Sequence, residues 1–512
     1  MGRLIYGNDP ELEWVVQKYG GTSIGKYAFQ IAQDIIRETL RRNRVAVVCS
    51  ARSTTSKVAG TTTRLIDIFN AFEAARIRSV QHSDSLAALR TSLDIIIQEH
   101  IAATAPSLES KNSRDRLAES LSLQGQATVS AVAEALTLSD YDYNLVQDRL
   151  ISLGEKLSCL SLLAILQDLG VEAEYVDLST ILPRRGPLAV RAGDAAYAEL
   201  STVIAARLLA CGPRVPVITG FFGHNPGGML ASEIGRGYTD LCAALCAVGL
   251  GAAELQIWKE VDGIMTADPS RVARARLIPH MSLAEAAALT RHGSEVVHAL
   301  AIRHLAAAAP PTAIALSIRN VKRPLALGTM VRRADDDDDD DDKCESSYTD
   351  SDTDCASLKF AATFCRAITA KDDACILHIR WTRGISSCFP KKKFVPQKST
   401  AVQLVTTSTS QLSPSSSVKR PSRFSLSSAK RLLLGQNKLA TSQTASIITL
   451  ICNRANGTCP LASRVLAILK AASIESALLP LDDSGCISCV VPSPDTRRAM
   501  NLLHGQLCLL RD

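Results

Sequence analysis

One stretch near the start of the chain combines a lysine, glycines and hydroxyl residues directly after an apolar run. Its residues are Trp14-Val15-Val16-Gln17-Lys18-Tyr19-Gly20-Gly21-Thr22-Ser23. The apolar run predicts a strand, and a helical pattern begins near Ile24. Glycines let a backbone approach an anion closely, and the N–H groups of a helix start favour negative charge. The stretch therefore predicts a phosphate-binding loop, with Lys18 at the strand's end facing the phosphate.

Two other interpretations of this loop stay open. The stretch from Gly20 to Lys26 fits the G-x-x-x-x-G-K part of the P-loop of NTPases. That motif continues with a Ser or Thr that binds Mg²⁺, whereas Tyr27 follows here. A chance glycine-rich turn is the second alternative. The residues farther along the chain favour a different phosphoryl-transfer loop.

Three charged residues downstream suit such a site. Asp240 follows a glycine-rich turn at a predicted helix start, where it would orient lysines, cap the helix, or both. Arg236 lies between two glycines, and its guanidinium suits a bidentate grip on a carboxylate or a surface salt bridge. Glu155 is predicted at a helix start, where it caps the helix or holds a substrate ammonium. Phosphoryl transfer needs charge neutralisation more than covalent help from the protein.

The elements that position these side chains alternate between strands and helices. The run from Arg44 to Cys49 is apolar throughout, which is typical of a strand buried in a parallel sheet. Further strands are predicted at Val171 to Leu178, Val215 to Gly220 and Glu254 to Val261, and helices at about 24–42, 154–169 and 195–210. This alternation predicts an α/β fold with a mainly parallel sheet.

The composition is that of an ordinary globular protein with two or more domains. The chain has 512 residues, 46% of them hydrophobic and 21% charged, with a net charge of +6. We find no aromatic-plus-basic pattern typical of nucleic-acid binding, no signal peptide and no apolar run of ~18 residues. We therefore expect a cytoplasmic protein without nucleic-acid or membrane partners.

Cysteine usage agrees with a reducing compartment. The 15 cysteines lie mostly inside apolar patterns, which predicts reduced core thiols. Cys486 and Cys489 have the spacing of a redox or zinc pair, but they fall in a predicted strand with no second pair at metal-site spacing. This context favours core packing.

The chain changes character after about residue 330. The acidic run from Asp335 to Asp342 repels itself, which predicts a solvated linker over 331–357, with cation binding as the alternative. Residues 384–436 are rich in Ser, Lys and Pro, so we expect little order there. From Ser446 onward the predicted order is strand, helix, strand, strand, helix, as in a ferredoxin-like sandwich.

Six short motifs lie in sequence between Lys18 and Ile264. They are Lys18-Tyr19-Gly20-Gly21-Thr22-Ser23, Val48-Cys49-Ser50-Ala51-Arg52, Gly60-Thr61-Thr62, Gly154-Glu155-Lys156-Leu157-Ser158, Gly235-Arg236-Gly237-Tyr238-Thr239-Asp240 and Trp258-Lys259-Glu260-Val261-Asp262-Gly263-Ile264. In this set and order they resemble the motifs of the aspartate kinases, most closely the single-function fungal type.

The resemblance implies a fold and a reaction. The fold is the amino-acid kinase fold, a three-layer α/β/α sandwich, over residues 12–330. The reaction transfers the γ-phosphoryl of ATP, with Mg²⁺, to the side-chain carboxylate of L-aspartate. The product, 4-phospho-L-aspartate, leads to threonine, isoleucine and methionine. The carboxylate is already an anion at neutral pH, so the obstacle is repulsion between two anions, which lysines and Mg²⁺ relieve.

The resemblance also implies roles for individual residues. Lys18 and Asp240 are expected to be catalytic. Glu155 would hold the substrate ammonium and Arg236 its α-carboxylate, while Ser50 and Thr62 line the aspartate site. The residues expected at the nucleotide are Lys18, Gly20, Gly21, Ser23, Thr239, Lys259, Asp268 and Arg271. No side chain is assigned to a metal.

A few positions depart from the family pattern. Glu295 stands where bacterial relatives often carry Lys, as it commonly does in fungal relatives. Ala299 follows His298 where Pro is usual, and we interpret His298 as structural. The alanine run 306–309 is unusual for this end of the kinase domain.

The C-terminal region resembles paired ACT domains, the amino-acid-binding modules that regulate this family and imply a homo-oligomer. Residues 441–512 match well, whereas residues 358–440 match only at Ala367 to Asp372 and at Leu404 to Thr409. Pro390-Lys391-Lys392-Lys393-Phe394-Val395-Pro396 replaces the expected amphipathic helix, and prolines with a lysine triplet cannot form a buried helix face. The first unit is incomplete, or that part of the sequence is wrongly translated.

Two other functions stay open at this point. Another amino-acid kinase, such as one acting on glutamate, would share most motifs, although Arg236 and Glu155 in these contexts favour aspartate. A non-catalytic amino-acid sensor would use only the ACT region, and intact Lys18 and Asp240 argue against it.

Regulation supplies a first testable prediction. Fungal relatives are inhibited by threonine, and a threonine site between two ACT units needs both units whole. Because the first unit lacks a recognisable helix, we expect weak or absent threonine inhibition with kinase activity retained, and protease sensitivity over 384–436. A threonine titration of kinase activity beside limited proteolysis measures both. Full inhibition at low threonine together with a protease-resistant 384–436 would show that the first unit is intact.

Overall fold

The computed structural model describes fifteen segments of the chain. They are residues 6–53, 60–78, 82–137, 141–181, 193–223, 228–230, 234–235, 237–294, 297–308, 314–333, 365–379, 402–407, 440–452, 459–479 and 486–508. Internal contacts divide the chain into two units. The first comprises residues 1–264, 277–290 and 295–347, and the second comprises 265–276, 291–294 and 348–512. Two short segments that we placed in the kinase domain thus belong to the second unit.

A mostly parallel sheet of eight strands forms the centre of the first unit. The strands are β1 (Trp14–Tyr19), β2 (Arg44–Cys49), β3 (Ala173–Val176), β4 (Val215–Thr219), β5 (Glu254–Lys259), β6 (His280–Ser282), β7 (Ala315–Asn320) and β8 (Thr329–Arg332). They lie in the order β3-β4-β2-β1-β5-β7-β8-β6. Neighbouring strands of this sheet are parallel except for the pair β7 and β8, which is antiparallel. The predicted α/β fold with a mainly parallel sheet is confirmed, and β1 lies among the central strands.

Helices cover both faces of this sheet. They are α1 (Gly21–Gln30), α2 (Thr61–Arg78), α3 (His82–Thr104), α4 (Lys111–Thr137), α5 (Tyr143–Asp168), α6 (Gly193–Leu209), α7 (Tyr238–Leu250), α8 (Leu283–Arg291) and α9 (Ala299–Ala307). On one face, alternate residues of β2 share an apolar core with α1 to α5. On the other face α7 packs on β1 and β2 and is contacted by α6 and α9. The three-layer α/β/α arrangement is the predicted one.

The first helix differs in detail from the prediction over 24–42. It begins earlier, at Gly21, and after Gln30 it continues as a π-helical segment, Ile31–Ile36, and a last turn, Arg37–Thr39. The π-helical segment buries its isoleucines in the core. The early start places the helix N-terminus directly after β1.

Our placement of Glu155 at a helix start is wrong. Helix α5 begins at Tyr143, where the Asp142 carboxylate accepts from two backbone N–H groups, so Glu155 lies in the middle of the helix. Gly154 does not interrupt the helix but lets it pack closely, since a Cβ there would lie 2.9 Å from the Ala51 Cβ and 3.1 Å from the Thr61 Cγ2. The positive end of a helix dipole therefore does not stabilise the Glu155 carboxylate, because Glu155 is far from the helix N-terminus.

Helix α5 is also long and apolar enough to cross a membrane by length and composition. Most of its apolar window, 78%, is buried inside the protein. Such burial is what the core helix of an α/β domain requires, and α5 is the one helix of this kind in the described part of the chain.

The second unit contains an antiparallel sheet. Its strands are β9 (Cys365–Ile379), β10 (Val402–Thr407), β11 (Ala440–Cys452), β12 (Ala477–Leu478) and β13 (Ile487–Pro492), in the order β10-β9-β11-β13-β12. Helices α10 (Cys459–Ala471) and α11 (Thr496–Leu507) complete the predicted strand, helix, strand, strand, helix order. Strand β10 lies inside 384–436, where we expected little order; it pairs with β9. The rest of 384–436 and the acidic run lie outside the described residues.

The cysteines agree with the prediction of core thiols. Ten have described side chains, and none of these forms a disulfide. Nine of the ten are buried, including Cys486 and Cys489. Within the described part of the chain no group of three or more His, Cys, Asp or Glu residues is placed to hold a metal ion.

Close packing at Gly25 yields a stability prediction. A Cβ on Gly25 would lie 2.0 Å from the Ser53 carbonyl oxygen, whereas a Cβ on helical Gly505 would meet nothing within 4 Å. Gly25→Ala should lower the melting temperature, because overpacking costs about 1–3 kcal/mol. Gly505→Ala is the matched control. It should raise the melting temperature slightly, because alanine favours a helix over glycine by up to ~1 kcal/mol. Thermal unfolding followed by circular dichroism measures both, and equal stability of the Gly25 variant and wild type would contradict the packing argument.

Candidate functional site

The site is built around a buried ion pair at the end of β1. The Lys18 ammonium lies 2.6 Å from Oδ1 of Asp240, and each residue is only 7% exposed. Lys18 pairs in register with Val48 of β2 and Ile257 of β5, so two neighbouring strands fix its backbone. Asp240 lies in the first turn of α7, which packs on β1. The structure thus brings together the two residues that we expected to be catalytic.

The second oxygen of Asp240 is also engaged. Its Oδ2 accepts from the backbone N–H of His298 at 3.1 Å. Burial alone would raise the pKa of the Asp240 carboxyl, but the charges of Lys18 and Lys259 outweigh it and hold that pKa below its ordinary value. Asp240 is therefore a fixed negative charge between two lysines, and Lys259 acts on the same site as Lys18.

Glu155 is buried beside this pair. The Thr239 hydroxyl donates to its Oε1 at 3.1 Å, while its Oε2 has no hydrogen-bond partner among the described residues. Burial raises the pKa of the Glu155 carboxyl to about 8, although the neighbouring polar groups of Tyr238 and Thr239 and the charge of Lys18 act in the opposite direction. A buried carboxyl oxygen without a donor suits a cationic group of a ligand.

The loop after β1 has the order of strand, glycines and helix start that we predicted for an anion site. Gly20 is the N-cap of α1, and no acidic side chain lies in the first turn of that helix. A Cβ on Gly20 would meet little, whereas a Cβ on Gly21 would lie 2.1 Å from the Ala51 carbonyl oxygen. We expected both glycines to cradle phosphate. Gly20 leaves room for a ligand, but the missing side chain of Gly21 is explained by packing.

Two hydroxyl groups that we expected at the nucleotide are used inside the protein. The Ser23 side chain is fully buried and donates to Glu260 Oε1 at 2.7 Å. The Thr239 hydroxyl is committed to Glu155. These two residues offer a nucleotide only their backbone groups in this conformation. Glu260, which our sequence reasoning missed, follows Lys259 directly, and that position beside a predicted nucleotide residue was the available signal.

Backbone hydrogen bonds connect the loop after β2 to the loop after β1. The Ser50 N–H donates to the Tyr19 carbonyl at 3.2 Å, and the Ser53 N–H donates to the Gly21 carbonyl at 2.9 Å. The Ser158 hydroxyl of α5 accepts from the Arg52 N–H at 2.9 Å. Ser50 is half-buried directly beyond β2, at the same sheet edge as Lys18. Thr62 is likewise half-buried, in the first turn of α2.

Four positions named in the sequence analysis lie outside the described part of the first unit. Asp268 and Arg271 belong to the second unit, where the Arg271 guanidinium pairs with Asp372. The Asp268 carboxylate accepts from the Ser270 N–H at 2.9 Å. Arg236 and Glu295 lie outside the described residues.

Comparison with known proteins decides the family. The amino acid kinase family matches residues 13–315 of the chain. Aspartate kinase FUB3 of Gibberella moniliformis is 35% identical over 96% of this chain and 97% of its own length. The aspartokinase of Schizosaccharomyces pombe is 36% identical over 98% of this chain and 94% of its own. The chain belongs to the amino acid kinase family, as one of its aspartate kinases.

Solved aspartate kinases share the fold. The crystal structure of E. coli aspartokinase III in complex with aspartate and ADP superposes with a TM-score of 0.60 at 22% identity, covering 97% of this chain and all of that one. The Clostridium acetobutylicum aspartate kinase gives a TM-score of 0.63 at 15% identity, over 96% of this chain and all of that one. At these identities the likeness supports the fold alone, and the kinase family rests on the fungal relatives.

The raised pKa of Glu155 predicts a pH dependence. Below a pKa of about 8 the free enzyme carries Glu155 protonated, and only the carboxylate attracts an ammonium. Since kcat/KM reports the free enzyme, kcat/KM for the amino-acid substrate should rise with pH, by roughly tenfold per pH unit, until it levels near that pKa. Glu155→Gln should raise KM for that substrate and remove the slope. A flat kcat/KM between about pH 6 and 8 in the wild type would rule out this role.

Proposed function

We propose that this enzyme phosphorylates the side-chain carboxylate of L-aspartate with ATP. The observation that carries the proposal is the buried Lys18–Asp240 pair beside the unpartnered Oε2 of Glu155. It offers a fixed cation for a phosphoryl group next to a carboxyl for an ammonium. The fungal relatives, named aspartate kinase and aspartokinase, support this substrate.

The proposed step needs no general base. A side-chain carboxylate oxygen of aspartate attacks the γ-phosphorus of ATP, a new P–O bond forms, and the bond to the β-phosphate oxygen breaks, leaving ADP. Negative charge spreads over the phosphoryl oxygens in the transition state. Lys18 faces that charge directly, and the helix start at Gly20 adds backbone N–H donors. Glu155 holds the substrate ammonium, and we keep Arg236, Ser50 and Thr62 as further contacts to aspartate.

Mg²⁺ enters this proposal with the nucleotide. Mg²⁺ commonly keeps several waters and binds through substrate phosphates and one or two carboxylates, so the nucleotide itself would supply much of its coordination. When bound it neutralises part of the phosphate charge. Gly20 and Lys259 remain the proposed nucleotide contacts.

The wider setting is also a proposal. We propose a kinase domain over 12–330, a linker over 331–357 and two ACT-like units over 358–440 and 441–512. The product would feed threonine, isoleucine and methionine synthesis in the cytoplasm, in an enzyme that is a homo-oligomer. A solved structure of E. coli aspartokinase III contains lysine and aspartate. Threonine remains our proposed effector for this chain.

A substrate panel tests the proposal. Purified full-length protein is incubated with ATP, Mg²⁺ and either L-aspartate or L-glutamate, and the acyl phosphate is trapped with hydroxylamine. We expect hydroxamate with aspartate and little with glutamate. ADP release is followed in the same samples. If hydroxamate forms only with glutamate, the protein is another amino-acid kinase. If neither amino acid stimulates ADP release, the protein is a non-catalytic amino-acid sensor.

Replacement of Lys18 separates catalysis from folding. Lys18→Met should lower kcat by well over tenfold, or more than about 1.4 kcal/mol of transition-state stabilisation. Because it also strands a buried Asp240, it should cost about 3–5 kcal/mol of stability. The double variant Lys18→Met/Asp240→Asn should recover melting temperature but not activity. If the double variant regains kcat, the ion pair is structural and Lys18 has no catalytic role.

A further inference from the structure

Three cysteines of the second unit lie together at one end of its sheet. Cys365 is the first residue of β9 and Cys452 is the last residue of β11, and the two are register partners in this antiparallel pair. Cys508 is the C-cap of α11, a helix that packs on β9. All three side chains belong to the same apolar core or pack against it. The fold thus brings together thiols that are far apart in the sequence.

The three thiols differ in their exposure to solvent. Cys365 is 3% exposed and Cys452 is 7% exposed, whereas Cys508 is half-buried. Of the ten cysteines whose side chains are described, Cys508 is the only one that is not buried. A reagent in solution therefore reaches Cys508 while the unit stays folded, and it does not reach the other two directly.

Cys365 is a neighbour of both other thiols. Burial raises the pKa of the Cys365 thiol, and the neighbouring thiols of Cys452 and Cys508 raise it further. The Cys365 Sγ donates to the Ala367 carbonyl oxygen at 3.2 Å. Cys365 is thus a protonated thiol, shielded from solvent, beside a thiol that solvent reaches. This is the arrangement of a resolving thiol next to an entry thiol.

We propose that Cys508 and Cys365 form a reversible redox site that reacts with a small disulfide such as oxidised glutathione. The Cys508 thiolate attacks one sulfur of glutathione disulfide, which gives a mixed disulfide and releases one glutathione thiolate. The Cys365 sulfur then attacks the Cys508 sulfur and passes its proton to the second glutathione as that leaves. Two protein thiols are oxidised to one disulfide, and one glutathione disulfide is reduced to two glutathione thiols.

A disulfide suits this cluster better than a metal ion does. Within the described residues these cysteines do not form a group of three or more ligands placed for a metal. A disulfide requires only two sulfurs that can meet. In a reducing compartment such a bond is transient and forms when an oxidant accumulates. The site therefore agrees with the reduced state of the thiols in the structure.

The bond would tie the end of α11 to the start of β9. Helix α11 also holds the segment 265–276, which belongs to the same unit. The Asn501 side-chain amide donates to the Arg271 carbonyl oxygen at 2.9 Å, and the Arg497 guanidinium donates to the Ser270 carbonyl oxygen at 3.0 Å. Oxidation at Cys508 therefore restrains the helix that holds this segment.

Peptide mapping of the full-length protein tests the proposal. Trypsin releases Cys365 in residues 360–366 and Cys508 in residues 499–511, and each peptide contains a single cysteine. The protein is incubated with reduced or oxidised glutathione and unfolded in an alkylating agent, and linked peptides are identified by mass spectrometry. We expect the two peptides to be linked, with at least about tenfold more linkage under oxidised glutathione, and the link to disappear with dithiothreitol.

Single variants separate the roles of the three thiols. Cys365→Ala should stop the reaction at the mixed disulfide, so Cys508 should carry one glutathione. Cys508→Ala should leave Cys365 reduced under oxidised glutathione, because the entry thiol is missing. Cys452→Ala should still form the bond. The map of the wild-type protein remains decisive if a variant of the buried Cys365 does not fold.

Cys242 and Cys246 are the matched internal control. They lie one turn apart on α7, and both are 0% exposed. They should stay reduced under the same conditions. The proposal is overturned if the peptides of Cys365 and Cys508 stay unlinked under oxidised glutathione, or if Cys365 is oxidised as readily in Cys508→Ala. Equal oxidation of the control pair would also overturn it, because oxidation would then follow unfolding. None of these readouts depends on kinase activity, so the proposed function is tested separately.

Discussion

The site depends on keeping the Lys18 ammonium and the Asp240 carboxylate 2.6 Å apart in the interior. Removing two charges from water is costly, and their attraction offsets that cost only when the geometry is fixed. The fold fixes it from both directions, because Lys18 is held by strands on either side and Asp240 by the first turn of a helix packed on the same strand. Such a preorganised charge needs no rearrangement when phosphoryl charge develops.

The loops around Lys18 and Asp240 are held in place by close contacts at glycine residues. Gly21 lies against the Ala51 carbonyl, Gly220 against the Thr239 side chain and Gly237 against the His298 ring. At each contact an added Cβ would lie within 3.0 Å of a neighbouring atom, so the chain cannot pass there with any other residue unless something moves. Three of the glycines near the site are thus required for packing. Direct contact between the loops limits how far the side chains of the site can move.

The sequence predicted the parts of this site that depend on local order along the chain. Strand, glycine turn and helix start are visible in the sequence at Lys18, and a glycine turn with a helix start is visible at Asp240, because apolar runs and glycines mark where elements begin and end. The partners of individual side chains were not visible. Ser23 bonds Glu260 and Thr239 bonds Glu155 across long sequence separations, and nothing local indicates these pairs. We predicted Glu155 at a helix start because Gly154 suggested one. In the structure Gly154 lies inside the helix and allows close packing.

The protonation state of Glu155 links the buried ion pair to substrate binding. In the free protein Glu155 is neutral at pH 7, because burial raises the pKa of its carboxyl to about 8. In the role that we propose for Glu155, a substrate ammonium favours the charged form of the carboxyl, so binding of the amino acid and ionisation of Glu155 are linked. The ammonium brings one positive charge and the carboxyl loses one proton, so the net charge at Glu155 stays the same.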